Sequence, residues 1–167
     1  KRFINKLEAE AMLAGIMVDS NSFSGRTGVR TFEAASWLKR GGADTTEVKK
    51  LFQVRQEDVL AKANAVANAE FAPDGVAYTI TEGTTSNTQI INAQVGDVLM
   101  TVKGTKAAFV FGRNERGQTL VSARSLGEMN VQTIMEKLGG GGHFTAAAVQ
   151  LDDPQAEVIA HVRRLVK

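Results

Sequence analysis

The chain has 167 residues, 43% of them hydrophobic and 23% charged, with no cysteine and a formal net charge of +2. That balance describes one ordinary globular domain or two small ones, and the missing cysteine excludes disulfides, thiolate metal sites and cysteine nucleophiles. Residues 71–167 carry 9 Lys and Arg against 9 Asp and Glu, so a long nucleic-acid groove, which needs a basic stripe, is not expected, and anion binding there has to be local.

The opening stretch "KRFINKLEAEAMLAGIMV" reads as an amphipathic helix already under way, with Leu7, Met12, Leu13 and Ile16 at helical spacing. The chain is therefore expected to be a piece of a longer protein. The apolar run from Ala11 to Val18 is far too short to cross a bilayer, so no membrane contact is expected of this piece. Asp19 directly follows that run. A carboxylate held at the end of a rigid element suits a hard divalent cation, but it equally suits a turn. No Asp or His cluster accompanies it in the sequence.

"DSNSFSGRTGVR" reads as a loop. Thr31 is placed as the cap of a helix through Trp37 and Leu38, stopped by Gly41 and Gly42. Asp44 with Glu47 resembles a capping box and opens a short helix through Phe52. "QEDVLAKANAVANAE" predicts a long helix ending near Glu70. "FAPDG" then marks the domain boundary, giving a helical segment over 1–70 and an α/β domain over 71–167.

In the second half, "VAYTIT" alternates as a strand. "SNTQIINAQV" predicts a helix capped near Ser86 or Asn87. Three strand-like runs follow, "DVLMTV", "AAFVFG" and "QTLVSA", joined by turn residues as an antiparallel meander. "NVQTIMEKL" predicts a helix capped by Asn130 and stopped by Gly139. "AEVIAHVRRLVK" closes the chain as an amphipathic helix, on which His161 is read as structural or solvated. The fold class is α/β with a small mixed sheet.

Four consecutive glycines, Gly139, Gly140, Gly141 and Gly142, precede His143. One glycine suffices to end a helix. The others let successive amides form a nest for an anion, and "HFTAAAV" could start a helix whose N-terminus adds to it. His143 would stand at the mouth. A flexible connector with an incidental histidine fits the same residues. Upstream, alternation puts Ser122 and Arg124 on one strand face, with Ser125 beside them. A guanidinium near a nest makes a phosphate clamp, although a solvated edge arginine fits as well.

Together these motifs resemble the DHH phosphoesterase family. "GIMVDSNSFSGRTGVRTFEAASWL" resembles the last metal motif of its catalytic domain and the helix after it. "SARS" and "GGGGHFTAAAVQL" resemble the signature of the DHH-associated substrate-binding domain. "VDSNSF", "RTFEAASWL" and "SARSLGE" look like the GdpP-type cyclic-di-AMP phosphodiesterases. The glycine run alone is shared with RecJ-like exonucleases and nanoRNases, and related glycine-loop modules accompany some tRNA synthetases. These leave an oligonucleotide hydrolase and a non-catalytic nucleotide-binding module as alternatives.

The resemblance implies a parent that hydrolyses cyclic di-AMP to linear pApA at a two-manganese centre, on the cytoplasmic face of the membrane. Asp19 matches one metal ligand. Gly139, Gly140, Gly141, Gly142 and His143 match the loop holding the distal part of a cyclic or linear dinucleotide, and Ser122, Arg124 and Ser125 match substrate-contacting positions. The chain has no Asp-His-His triplet, so the piece is expected to be soluble, inactive by itself and not to retain manganese. Pairing into a homodimer is one way to cover the apolar face of the first helix.

Overall fold

The structure, a computed structural model, describes residues 4–25, 27–84 and 87–166. It comprises two compact units, Lys1–Val54 and Arg55–Lys167. In the first unit α1 (Lys6–Asp19), α2 (Val29–Arg40) and α3 (Thr45–Lys50) pack around Ala9, Leu13, Leu38, Ala43 and Val48. Asn5 caps α1 in a capping box with Glu8. Asp44 accepts from the Thr46 amide at 2.8 Å, as a cap should. Thr31 is not the cap of α2. Gly28 holds that place, and the Thr31 hydroxyl accepts from its amide from inside the first turn.

The second unit runs α4 (Gln56–Ala67), β1 (Glu70–Phe71), β2 (Val76–Thr84), α5 (Thr88–Leu99), β3 (Ala107–Arg113), β4 (Thr119–Ser125), α6 (Val131–Glu136), β5 (Gly141–His143), β6 (Ala146–Leu151) and α7 (Gln155–Val166). The strands form one mixed sheet in the order β1-β2-β3-β4-β6-β5. The boundary between the units falls before the one expected after Glu70, because α4 packs on β2 and α5 and so belongs with the sheet.

The expected meander is not what forms. β2 and β3 are parallel, and a parallel pair needs a crossover. Helix α5 supplies it by running on through Asp97, Val98 and Leu99, the first half of the stretch expected as a strand. β3, β4, β6 and β5 then follow as antiparallel neighbours. The candidate cap Ser86 lies outside the described residues, and Asn87 occupies the cap position of α5.

Register divides the sheet residues between two faces. Ala108 and Val110 meet Ile91, Val95 and Leu99 of α5 on one face. Phe109, Val121, Ala123, Ala147 and Val149 meet residues of α6 and α7 on the other. Arg163 of α7 pairs with Glu70 at 2.5 Å and lies over the Tyr78 ring, 4.5 Å from its centroid. That hydrogen bond holds the Glu70 carboxyl below the ordinary glutamate range, while burial pushes the Tyr78 phenol up.

Asn92 of α5 has no exposed surface. With its amide nitrogen toward Thr81 Oγ1 at 2.5 Å and the Thr88 carbonyl at 3.2 Å, its oxygen accepts from the Gly112 amide at 3.3 Å. Thr81 then accepts from Asn92 and donates to the Phe111 carbonyl at 3.1 Å. Every polar atom has a complementary partner in that orientation.

Asn92→Leu should destabilise the second unit by about 1–3 kcal/mol, because it strands the Gly112 amide without a buried partner. Urea unfolding followed through Tyr78, the single tyrosine, reads this unit, whereas the single tryptophan, Trp37, reads the other. A second test concerns acid. A depressed Glu70 pKa stabilises the fold above the unfolded value and that contribution fades as pH falls through the lower folded value. Glu70→Gln should remove this part of the acid dependence, seen as a flatter melting-point profile below about pH 4.5.

Candidate functional site

The glycine run forms neither a loop nest nor the approach to a helix. Gly139, at φ +84, closes α6, and the Gly140 amide reaches back to the Met135 carbonyl at 2.9 Å. Gly141, Gly142 and His143 are β5, an edge strand paired with β6. "HFTAAAV" is therefore a hairpin turn and a strand, not a helix start. The turn is pinned from two sides, since the Val131 amide donates to the Phe144 carbonyl and the Ser125 amide to the Thr145 carbonyl.

The glycines let two backbones approach. A Cβ on Gly142 would fall 2.5 Å from both the Ala146 oxygen and the Ala147 Cα, and Gly142 has φ +145. A Cβ on Gly140 would fall 2.6 Å from the Val149 Cβ. At Gly141 a Cβ would meet nothing within 4 Å. The fold thus accounts for Gly139, Gly140 and Gly142, and leaves Gly141 facing open space.

Register places the predicted residues together. Val110, Ser122, Ala148 and Gly141 lie in one row across the sheet, and Ala108, Arg124, Ala146 and His143 in the next. Directly opposed residues share a face, so Ser122, Arg124, Gly141 and His143 all lie on the α5 face. Two strand spacings put Arg124 and His143 about 10 Å apart along their row. Ser125 has the opposite parity and is buried, and its hydroxyl donates to the Met129 carbonyl at 2.7 Å. It braces the loop before α6. Ser122 is buried as well, 2% exposed.

Helix α5 packs on β3 and β4, whereas α6 packs on β6 and β5 from the opposite side. Ala147 and Val149 are buried under the helices of that side, while Ala146 and Ala148 stay partly open. The result is a shelf beside α5. Its floor is Ala146, Ala148 and Gly141, Arg124 stands at its inner wall, and exposed His143 at its rim. As an edge strand, β5 also turns every second backbone N–H and C=O outward. Sequence reasoning missed the alanine floor and the α5 wall. His161 is far along α7 in a separate cleft with Lys137, Asp153, Glu157 and Arg164.

Asp19 is the exposed last residue of α1, which has no basic residue in its last turn. A carboxylate there opposes the helix dipole. Immediately after it Asn21, Ser22 and Phe23 have φ of 46, 54 and 67, a left-handed turn costing on the order of 1 kcal/mol per residue. Ser20 supports it by donating to the Ile16 carbonyl and accepting from the Phe23 amide, and Phe23 stacks on Phe32. Among the described residues no three Asp, Glu, His or Cys side chains gather. Asp19 offers one carboxylate, and these residues do not by themselves fit a two-manganese centre.

Residues 75–167 match the family model described as the DHHA1 domain. The chain is 45% identical over 150 residues to the cyclic-di-AMP phosphodiesterase GdpP of Geobacillus thermodenitrificans, covering 90% of this chain and 23% of that protein. It is 41% identical to the cyclic-di-AMP phosphodiesterase PdeA of Listeria monocytogenes, with the same two coverages. The chain thus spans under a quarter of the length of these curated relatives. An exopolyphosphatase-related protein from Bacteroides fragilis has a similar fold, with a TM-score of 0.82 at 16% identity over 96% of this chain and 50% of that one.

The geometry separates the glycines by stability. Gly140→Ala and Gly142→Ala should each cost about 1–3 kcal/mol, since each added methyl meets backbone or a packed side chain. Gly141→Ala should stay within about 0.5 kcal/mol of wild type. Parallel urea curves for the three variants check this, and an equal loss at Gly141 would contradict the open shelf.

Proposed function

The chain belongs to the DHHA1 domain family, and on that premise we propose that it is the substrate-holding part of a manganese-dependent phosphodiesterase that hydrolyses cyclic di-AMP to linear pApA. The observation that carries the reading is the shelf, with Arg124 at the edge of the α5 cover and Gly141 and His143 in register with β4 on the open α5-side face of β6 and β5. Two relatives that share over 40% of aligned residues are named for cyclic-di-AMP hydrolysis.

On this reading Arg124 donates paired N–H groups to phosphate oxygens. Outward amides of β5 add donors at the rim, and His143 adds one more at a phosphate or a base. The alanine floor admits a flat ring or a ribose that larger side chains would exclude. Gly141 is the point of closest backbone approach, which explains a glycine that the fold does not require. Asp19 would give one carboxylate to a manganese pair whose remaining ligands are not among the described residues. The even charge balance of residues 71–167 favours a dinucleotide over a long strand.

Titrating pApA, cyclic di-AMP and a longer oligoadenylate into the chain, followed by NMR, tests the proposal. Shifts should centre on residues 141–143 and Arg124, weakly for both dinucleotides, with no hydrolysis. Arg124→Ala should cost about 1.5–3 kcal/mol of binding. Gly141→Val should abolish binding, and His143→Ala should reduce it less. Shifts centred elsewhere, or a valine variant that binds normally, would return the glycine run to a purely structural role.

A further inference from the structure

We propose that Asp97, with Gly96 beside it, is the positioning pair that aims Arg124 at the shelf; the inference rests on the reading of Arg124 as a phosphate ligand. Arg124 leaves β4 toward α5, where a long flexible side chain would ordinarily keep many rotamers. Gly96 removes that freedom. It is a buried residue of α5, and a Cβ there would fall 2.9 Å from the Arg124 Cγ. The missing methyl is therefore the slot in which the aliphatic stem lies.

Asp97, the next residue, fixes the head. Its Oδ1 accepts from Arg124 Nε at 2.8 Å, and Arg124 Nη1 donates to the Ala123 carbonyl at 3.0 Å. The guanidinium makes no other hydrogen bond among the described residues, so its Nη2 and the second Nη1 hydrogen remain for a ligand. Two fixed contacts and a fixed stem set the plane of the guanidinium, which decides whether two N–H groups can meet two phosphate oxygens at once.

The pair is poorly suited to a stabilising role. The Asp97 side chain is 47% exposed and that of Arg124 20%, and so open an ion pair contributes little to the fold. Glycine in the last turn of α5 lowers helix propensity relative to alanine. Both features oppose what a purely structural α5 would carry, and both follow if the arginine has to be held in one orientation.

The test is pApA binding by the whole chain, with melting points measured alongside. Asp97→Ala should weaken binding about tenfold and Asp97→Asn, which keeps an oxygen acceptor, about threefold. Gly96→Ala should weaken binding about tenfold while the melting point holds or rises, because alanine favours the helix but displaces the arginine stem. In an Arg124→Ala background neither substitution should weaken binding further, since a positioning residue has nothing left to position. Full additivity in that background, or unchanged binding in the Asp97 variants, overturns the inference and leaves the proposed function standing. Wild-type chain that ignores pApA overturns the proposed function and this inference with it.

Discussion

Asn92 is fully buried in the middle of α5, and its single amide group ties the helix to the β2 side chain of Thr81 and to the backbone of β3. A buried amide satisfied on both its donors and its acceptor leaves few alternative positions for the helix, because every displacement strands a polar atom. The rest of the second unit depends on that placement. With β2 and β3 parallel, the crossover helix has to lie on one face of the sheet, and the hydrogen bonds of Asn92 fix which residues of α5 meet β3 and β4.

The consequence is an uneven sheet. On one side α5 covers β3 and β4 and stops short of the last two strands. On the other, α6 and α7 complete the core around Phe109, Phe111 and Met135. The glycine strand can pair closely with β6 because Gly140 and Gly142 have no side chains to meet it, and opposite that strand β6 presents only the methyl groups of Ala146 and Ala148 to the open side. An open floor of small residues, an arginine at its inner wall and an edge strand at its rim thus arise from packing decisions made elsewhere in the fold. Rigid strands rather than loops set the positions of Arg124, Gly141 and His143.

Much of the local structure was legible in the residues. Asp44 and Asn130 read as caps and act as caps, and Gly139 reads as a helix stop and takes the left-handed conformation that stops one. The placement of Ser122 and Arg124 on one face followed from alternation alone. What failed were segments whose composition contradicts their tertiary role. Val98 and Leu99 carry no periodicity that separates a strand from the end of a buried helix. Ala146, Ala147 and Ala148 favour a helix by propensity, yet they serve in a strand where small size against a glycine neighbour outweighs propensity. Ser125, one residue out of phase with Arg124, turns to the opposite face, where its hydroxyl donates to the Met129 carbonyl. Asp97 could not be found at all, because its meaning depends on a helix that the sequence did not announce and on an arginine 27 positions later.

Asp19 in the first unit reflects the same logic by different means. Nothing in α1 favours a carboxylate at its last position, where the helix dipole and the absence of a basic neighbour both oppose it. The three left-handed residues that follow cost further free energy, and Ser20 and the Phe23–Phe32 stack offset part of it. Asn21 tolerates the left-handed conformation, but Ser22 and Phe23 stand where glycine would be less strained. Local unfavourable choices of this kind persist where the surrounding structure holds a group in a required orientation. At Asp19 the group held is an exposed carboxylate at the end of a rigid helix; at Arg124 it is a guanidinium hydrogen-bonded to Asp97 and the Ala123 carbonyl, its stem lying against Gly96. In the first unit the unfavourable choice falls at the end of α1, and in the second at Gly96 of α5, beside Arg124.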